Sequence, residues 1–125
     1  MKAEKVKTKQ RTGEISECAT HEIEIVMTVI ESRVKKEIRK WFVIPGYQIV
    51  KQNDEVVWST KDTDVRLIFP NKRIFGESEL VIRKNQTRSL TVQGRVKSGP
   101  YPYAVVTAEN GEFAIGGSYP VIIVE

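Results

Sequence analysis

YQIVKQNDEVVWSTKDTDVRLIFP, residues 47–70, carries three short apolar runs separated by polar turns. The first closes a longer run, WFVIPGYQIV (41–50), which is interrupted at Pro45-Gly46, a pair that bends a strand or joins two short ones. Gln52-Asn53-Asp54 reads as a turn, and the run after it sets Val56 and Trp58 on one face. In DVRLIFP, Val65, Leu67 and Phe69 share a face, Arg66 and Ile68 take the other, and Pro70 ends the strand. A period of two through successive runs means strands that bury one face.

The same grammar continues on both sides. SELVIRKNQTRSLTVQG (78–94) gives two short strands around Lys84-Asn85-Gln86, with Leu90 and Val92 pointing inward in the second. YPYAVV (101–106) and YPVIIVE (119–125) are the last two, and Gly116-Gly117 before the final strand reads as a turn or bulge. Upstream, EIEIVMTVI (22–30) alternates at Ile23 and Ile25. Ile23, Met27, Ile30, Val34 and Ile38 also recur at helical spacing, so residues 22–40 admit either element. The density of Ile, Val and Thr favours a strand. Short strands with turn signals about every 8 to 12 residues, and no βαβ alternation, predict an all-β, antiparallel Greek-key sandwich or barrel.

At 125 residues, 40% apolar and 29% charged, the chain suits a single globular domain. No apolar run approaches the roughly 20 residues needed to span a bilayer. Residues 1–20 lack apolar periodicity and predict a flexible basic tail ahead of one domain over 21–125. The charged N-terminus has no secretory apolar segment, so the chain as it stands is expected to be cytoplasmic; one trimmed of its signal would read the same. A single cysteine rules out an internal disulfide framework.

From Trp41 onward, about two-thirds of the chain resembles the cupredoxin family of Greek-key β-sandwiches, which includes plastocyanin, amicyanin and azurin. YQIVKQNDEVVW resembles the family's Ile-x-Val-Lys strand, Gly-Asp turn and strand ending in Trp. Asn53 stands where glycine is usual, and asparagine also tolerates a left-handed backbone. DTDVRLIFP resembles the next strand, RSLTV with GPYPYAV the approach to the ligand loop, and GGSYPVIIVE the closing strand. The resemblance implies a cupredoxin-like sandwich with an N-terminal extension of one or two strands.

A type-1 copper site takes two imidazoles and a thiolate in a plane, usually with a weak axial thioether. Carried over by resemblance, the upstream histidine falls at Asp64 or Val65, the cysteine at Val105, the downstream histidine near Ala108 and the methionine near Phe113. Aliphatic and aromatic hydrocarbon side chains offer no lone pair. The implied centre is therefore absent, and Val105 and Phe113 are expected to fill its volume as core.

Other chemistry is thin. Cys18 and His21 form a Cys-x-x-His pair, but a closed zinc site takes four ligands and the chain has one Cys and one His. The pair is expected to be a tail cysteine beside an exposed histidine. Asp62 and Asp64 are read as a solvated loop rather than an acid–base pair or calcium site. No nucleophile–histidine set and no glycine-rich phosphate loop is present, so no enzyme and no cofactor is expected.

The expected function is a non-catalytic, copper-free interaction or scaffold module with a protein partner. It would work through the loops at 60–64, 107–112 and 116–119, which offer Thr60, Asp62, Asp64, Glu109, Asn110, Glu112 and Tyr119. Self-association is left open. One alternative is copper binding or electron transfer through Cys18, His21, Met27 or Asp64. Another, less favoured, is a single-strand nucleic-acid barrel using Arg83, Lys84 and Arg88, with Trp41 beside the basic run at 33–40.

Overall fold

A computed structural model of the chain describes residues 18–30, 38–61, 63–107 and 119–125, with 28–30 and 38–40 described through their backbone alone. Its described residues form ten strands: β1 (Thr20–Ile30), β2 (Ile38–Ile44), β3 (Tyr47–Val50), β4 (Glu55–Thr60), β5 (Val65–Ile68), β6 (Glu79–Ile82), β7 (Thr87–Thr91), β8 (Gly99–Pro102), β9 (Ala104–Thr107) and β10 (Val121–Val124). They build sheets in the orders β2-β1-β4-β7, β3-β10-β8 and β6-β5-β9. No helix of the described residues is long and apolar enough to cross a membrane.

Residues 20–30 and 38–44 are strand, so of the two elements admitted for the N-terminal segment the β-branched density decides. The tail expected over 1–20 lies outside the described residues up to 17, and Thr20 already opens β1.

The sandwich is mixed, not antiparallel throughout as expected: β1 pairs β4, and β3 pairs β10, in parallel. The bend at Pro45-Gly46, which includes a cis Ile44–Pro45 bond, carries the chain from β2 into β3 and so from one sheet to another. The tight turn at 52–53 then reverses it, which returns β4 alongside β1 in the same direction. A second switch divides the expected YPYAVV strand at Tyr103: β8 pairs β10 and β9 pairs β5.

One core joins the sheets. Ile23, Ile25, Val56 and Trp58 from the four-stranded sheet meet Val65, Leu67, Ile82, Val105, Ile122 and Val124 from the others. At its centre Trp58 lies edge-on to Phe75 and Tyr103, with ring centroids 5.4 and 5.9 Å apart, and Phe69 packs beside it at 5.8 Å. Edge-to-face packing sets the positive ring edge against the negative face, adding to the area these side chains bury. Trp58 Nε1 donates to Tyr103 Oη at 3.2 Å, and burial pushes the Tyr103 hydroxyl up to about 12 against the lowering effect of that bond.

Candidate functional site

Strand register assigns the loops to two ends. β5 and β9 pair with Val65 opposite Thr107, so the loop leading into β5 and the end of β9 lie at one end. The turn at 83–86 joins them, because Asn85 N–H donates to Thr60 O and Lys84 N–H donates to Asp64 Oδ1 at 2.7 Å. The turn at 51–54 and the loops at 69–78 and 92–98 lie at the opposite end. There Asn53 N–H donates to Val92 O, Gln93 N–H to Ile74 O and Gln52 Nε2 to Val96 O.

The first end is where the copper ligands of the resembled family would stand. Val65 and Val105 are both about 1% exposed and belong to the core. Neither has a lone pair to give. Ala108 and Phe113 lie outside the described residues, but the whole sequence settles the ligand count: it holds one histidine and one cysteine where a type-1 centre takes two histidines and a cysteine. The residues present do not fit that centre.

The expected loop residues differ among themselves. Thr60 is buried, and its hydroxyl donates to Thr63 O at 2.9 Å, so it closes the loop instead of offering a contact. Asp64 is half-buried and takes Arg83 at 3.3 Å as well as the Lys84 N–H. That backbone bond, and then the Arg83 guanidinium, hold its carboxyl below the usual aspartate value. Tyr119 is 65% exposed. Asp62, Glu109, Asn110 and Glu112 lie outside the described residues.

The metal candidates do not converge. Among the described residues no three His, Cys, Asp or Glu side chains form a group suited to a metal ion. Cys18 is exposed. His21 is not the exposed residue expected: it is half-buried and its Nε2 lies 2.8 Å from Asp54 Oδ2, while Gln48 Nε2 donates to its Nδ1 at 3.2 Å. An imidazole accepting at Nδ1 donates at Nε2, so the proton between His21 and Asp54 belongs to the ring.

Asp54, read in the sequence only as a turn residue, is the centre of this cluster. Its carboxylate also accepts from Ala19 N–H at 3.0 Å and Lys51 N–H at 2.9 Å. Desolvation raises the Asp54 carboxyl, but the bonds from His21, Ala19 and Lys51 outweigh it and leave it below its ordinary value. The cluster fastens the start of β1 to the β3–β4 turn.

Of the residues named for a nucleic-acid site, Arg83, Lys84 and Arg88 are exposed. Arg83 is on Asp64, and Arg88 donates to Val81 O at 3.1 Å. Trp41 is buried and not available for stacking.

A feature absent from the sequence reading lies at the second end. The loops at 69–78 and 92–98 enclose a cleft of about 460 Å³ lined by Lys72, Arg73, Arg95 and Lys97. The cations come from NKR and GRVK, two short runs whose separation along the chain hides their meeting.

No protein-family model matches the chain, and no curated protein matches it in sequence. Solved structures do. A laccase from Pediococcus acidilactici superposes with a TM-score of 0.55 at 12% identity, over 89% of this chain and 27% of its own. Fet3p, a multicopper oxidase that functions in iron import, gives 0.54 at 13% identity, over 87% of this chain and 23% of its own. Blue copper oxidase from Nitrosomonas europaea gives 0.53 at 14%, over 87% and 39%. The chain thus spans well under half the length of each, and at such identities the likeness carries the fold alone. This chain has a cupredoxin-like β-sandwich fold.

Proposed function

We propose that the chain is a copper-free, non-catalytic binding module built on the cupredoxin fold. One observation supports this reading above others: Val105, at the position implied for the copper cysteine, and Val65, one of the two positions implied for the upstream histidine, are buried core residues. Copper or electron transfer through Cys18, His21, Met27 or Asp64 has less support, because Cys18 is exposed, His21 is held by Asp54 and Gln48, Met27 is half-buried within β1, and Asp64 is held by Arg83 and Lys84. A rigid sandwich with loops at both ends suits recognition, since binding groups concentrate on loops positioned by a fixed framework.

Titration of Cu(II) into the Cys18→Ser variant and the unaltered chain, followed by visible absorption, tests the reading. Neither protein is expected to develop the intense thiolate-to-copper band of a type-1 centre. A band that grows to one equivalent in the unaltered protein and is lost in the variant would overturn it.

A further inference from the structure

We propose that the cleft between the 69–78 and 92–98 loops is a binding site for a compact, multiply charged phosphate group. The inference goes beyond the copper question, since the cleft lies at the other end of the sandwich from Val65 and Val105.

Its charge is one-sided. Lys72, Arg73, Arg95 and Lys97 line it, and no Asp or Glu does. Among the described residues the side-chain ion pairs are His21–Asp54, Arg66–Glu79 and Arg83–Asp64, none of which includes a cleft cation. Four like charges around one small volume repel one another, and a concave wall focuses their field outward on an incoming anion.

Of the neutral lining groups, Asn71 adds donors. Asn71 Oδ1 is taken by the Arg73 N–H at 3.1 Å, which leaves the Asn71 amide hydrogens to give. Tyr101 Oη donates to Lys97 O at 2.7 Å. Gln93 Nε2 donates to Phe75 O at 3.2 Å, and its backbone N–H donates to Ile74 O, so the two loops are tied before any ligand arrives. Gly76 lines the same wall at a φ of 78°, a left-handed backbone that favours glycine.

Size and charge density select the ligand class. A volume of about 460 Å³ is in the range of small-ligand sites, about 300–1,000 Å³. Arginine forks match phosphate oxygens two at a time, and lysines add point charge. An oligophosphate concentrates several negative charges in such a space, whereas an acidic peptide would spread them over several side chains.

The probe is inorganic tripolyphosphate, titrated calorimetrically into the full chain at low salt, with a nucleoside triphosphate and a single-stranded oligonucleotide as parallel arms. Saturable one-to-one binding of tripolyphosphate is expected, weakened by salt. The variant Arg73→Gln/Arg95→Gln should bind about tenfold or more weakly, in line with the loss of charged hydrogen bonds. Arg83→Gln/Lys84→Gln, at the opposite end, should bind within about twofold of the unaltered chain. Both pairs are exposed, and an unchanged melting temperature would show that each variant is folded. If the nucleoside triphosphate competes one-to-one, the phosphate chain is what the cleft reads. No saturable binding, equal weakening by both variants, or oligonucleotide affinity that rises with length and exceeds that of tripolyphosphate would each overturn the proposal.

Discussion

Asp54 shows what a single side chain does for this fold. Its carboxylate gathers Ala19 N–H, Lys51 N–H and His21 Nε2, joining residues 33 and 35 positions apart in sequence. Asp54→Ala strands two backbone donors and the imidazole, and should lower the free energy of unfolding by about 1–3 kcal/mol, measured by urea denaturation at neutral pH. The pH dependence has a definite sign. The folded carboxyl titrates below its ordinary 3.8, so the unfolded chain takes up the proton first. The stabilisation is present above about pH 4 and is lost as pH falls through the folded value. Asp54→Asn should flatten that part of the stability–pH curve. In the core, Tyr103→Phe leaves Trp58 Nε1 without its acceptor and should cost about 1–3 kcal/mol, read as a lower urea midpoint. Val105 was expected as a core residue, and it is buried. The role of Asp54 was not legible, because QND is what any polar turn looks like, and nothing local says that His21 will arrive beside it.

Elements were legible where local chemistry decides them. Period-two runs located the strands, and Asn53 was read as a residue tolerant of a left-handed backbone; it has a φ of 73°. Asn53→Gly should therefore leave stability within about 1 kcal/mol, whereas Asn53→Val should lower it by about 1–2 kcal/mol in thermal or urea unfolding. Equal effects of the two would remove the backbone explanation. The partners of the strands were less legible. Alternation says which face of a strand is buried, not which neighbour it joins or in what direction. Hence the parallel β1–β4 and β3–β10 ladders, and the sheet switch at Tyr103, had no signature of their own. Both switches occur at short Pro- or Tyr-containing segments that read equally well as a bend within one strand.

At the scale of the molecule, the two ends of the sandwich differ in chemistry. One holds apolar Val65 and Val105 beneath a loop tied by Asp64, Arg83 and Lys84. The other holds the Asp54 cluster and a cleft of four cations. Ligand stoichiometry made the first end readable from sequence, since one histidine and one cysteine cannot supply two imidazoles and a thiolate within one chain. The second end was hidden because its cations meet only through tertiary structure. On the function proposed, packing holds the first end where a copper site would otherwise stand. Thermal unfolding of the unaltered protein, metal-free and with Cu(II) added stepwise, tests this directly. A resident site binding at a thousandth of the metal concentration would add about 4 kcal/mol to stability and shift the midpoint by many degrees. A midpoint unchanged by stoichiometric copper is expected, and an upward shift that saturates at one equivalent would contradict this.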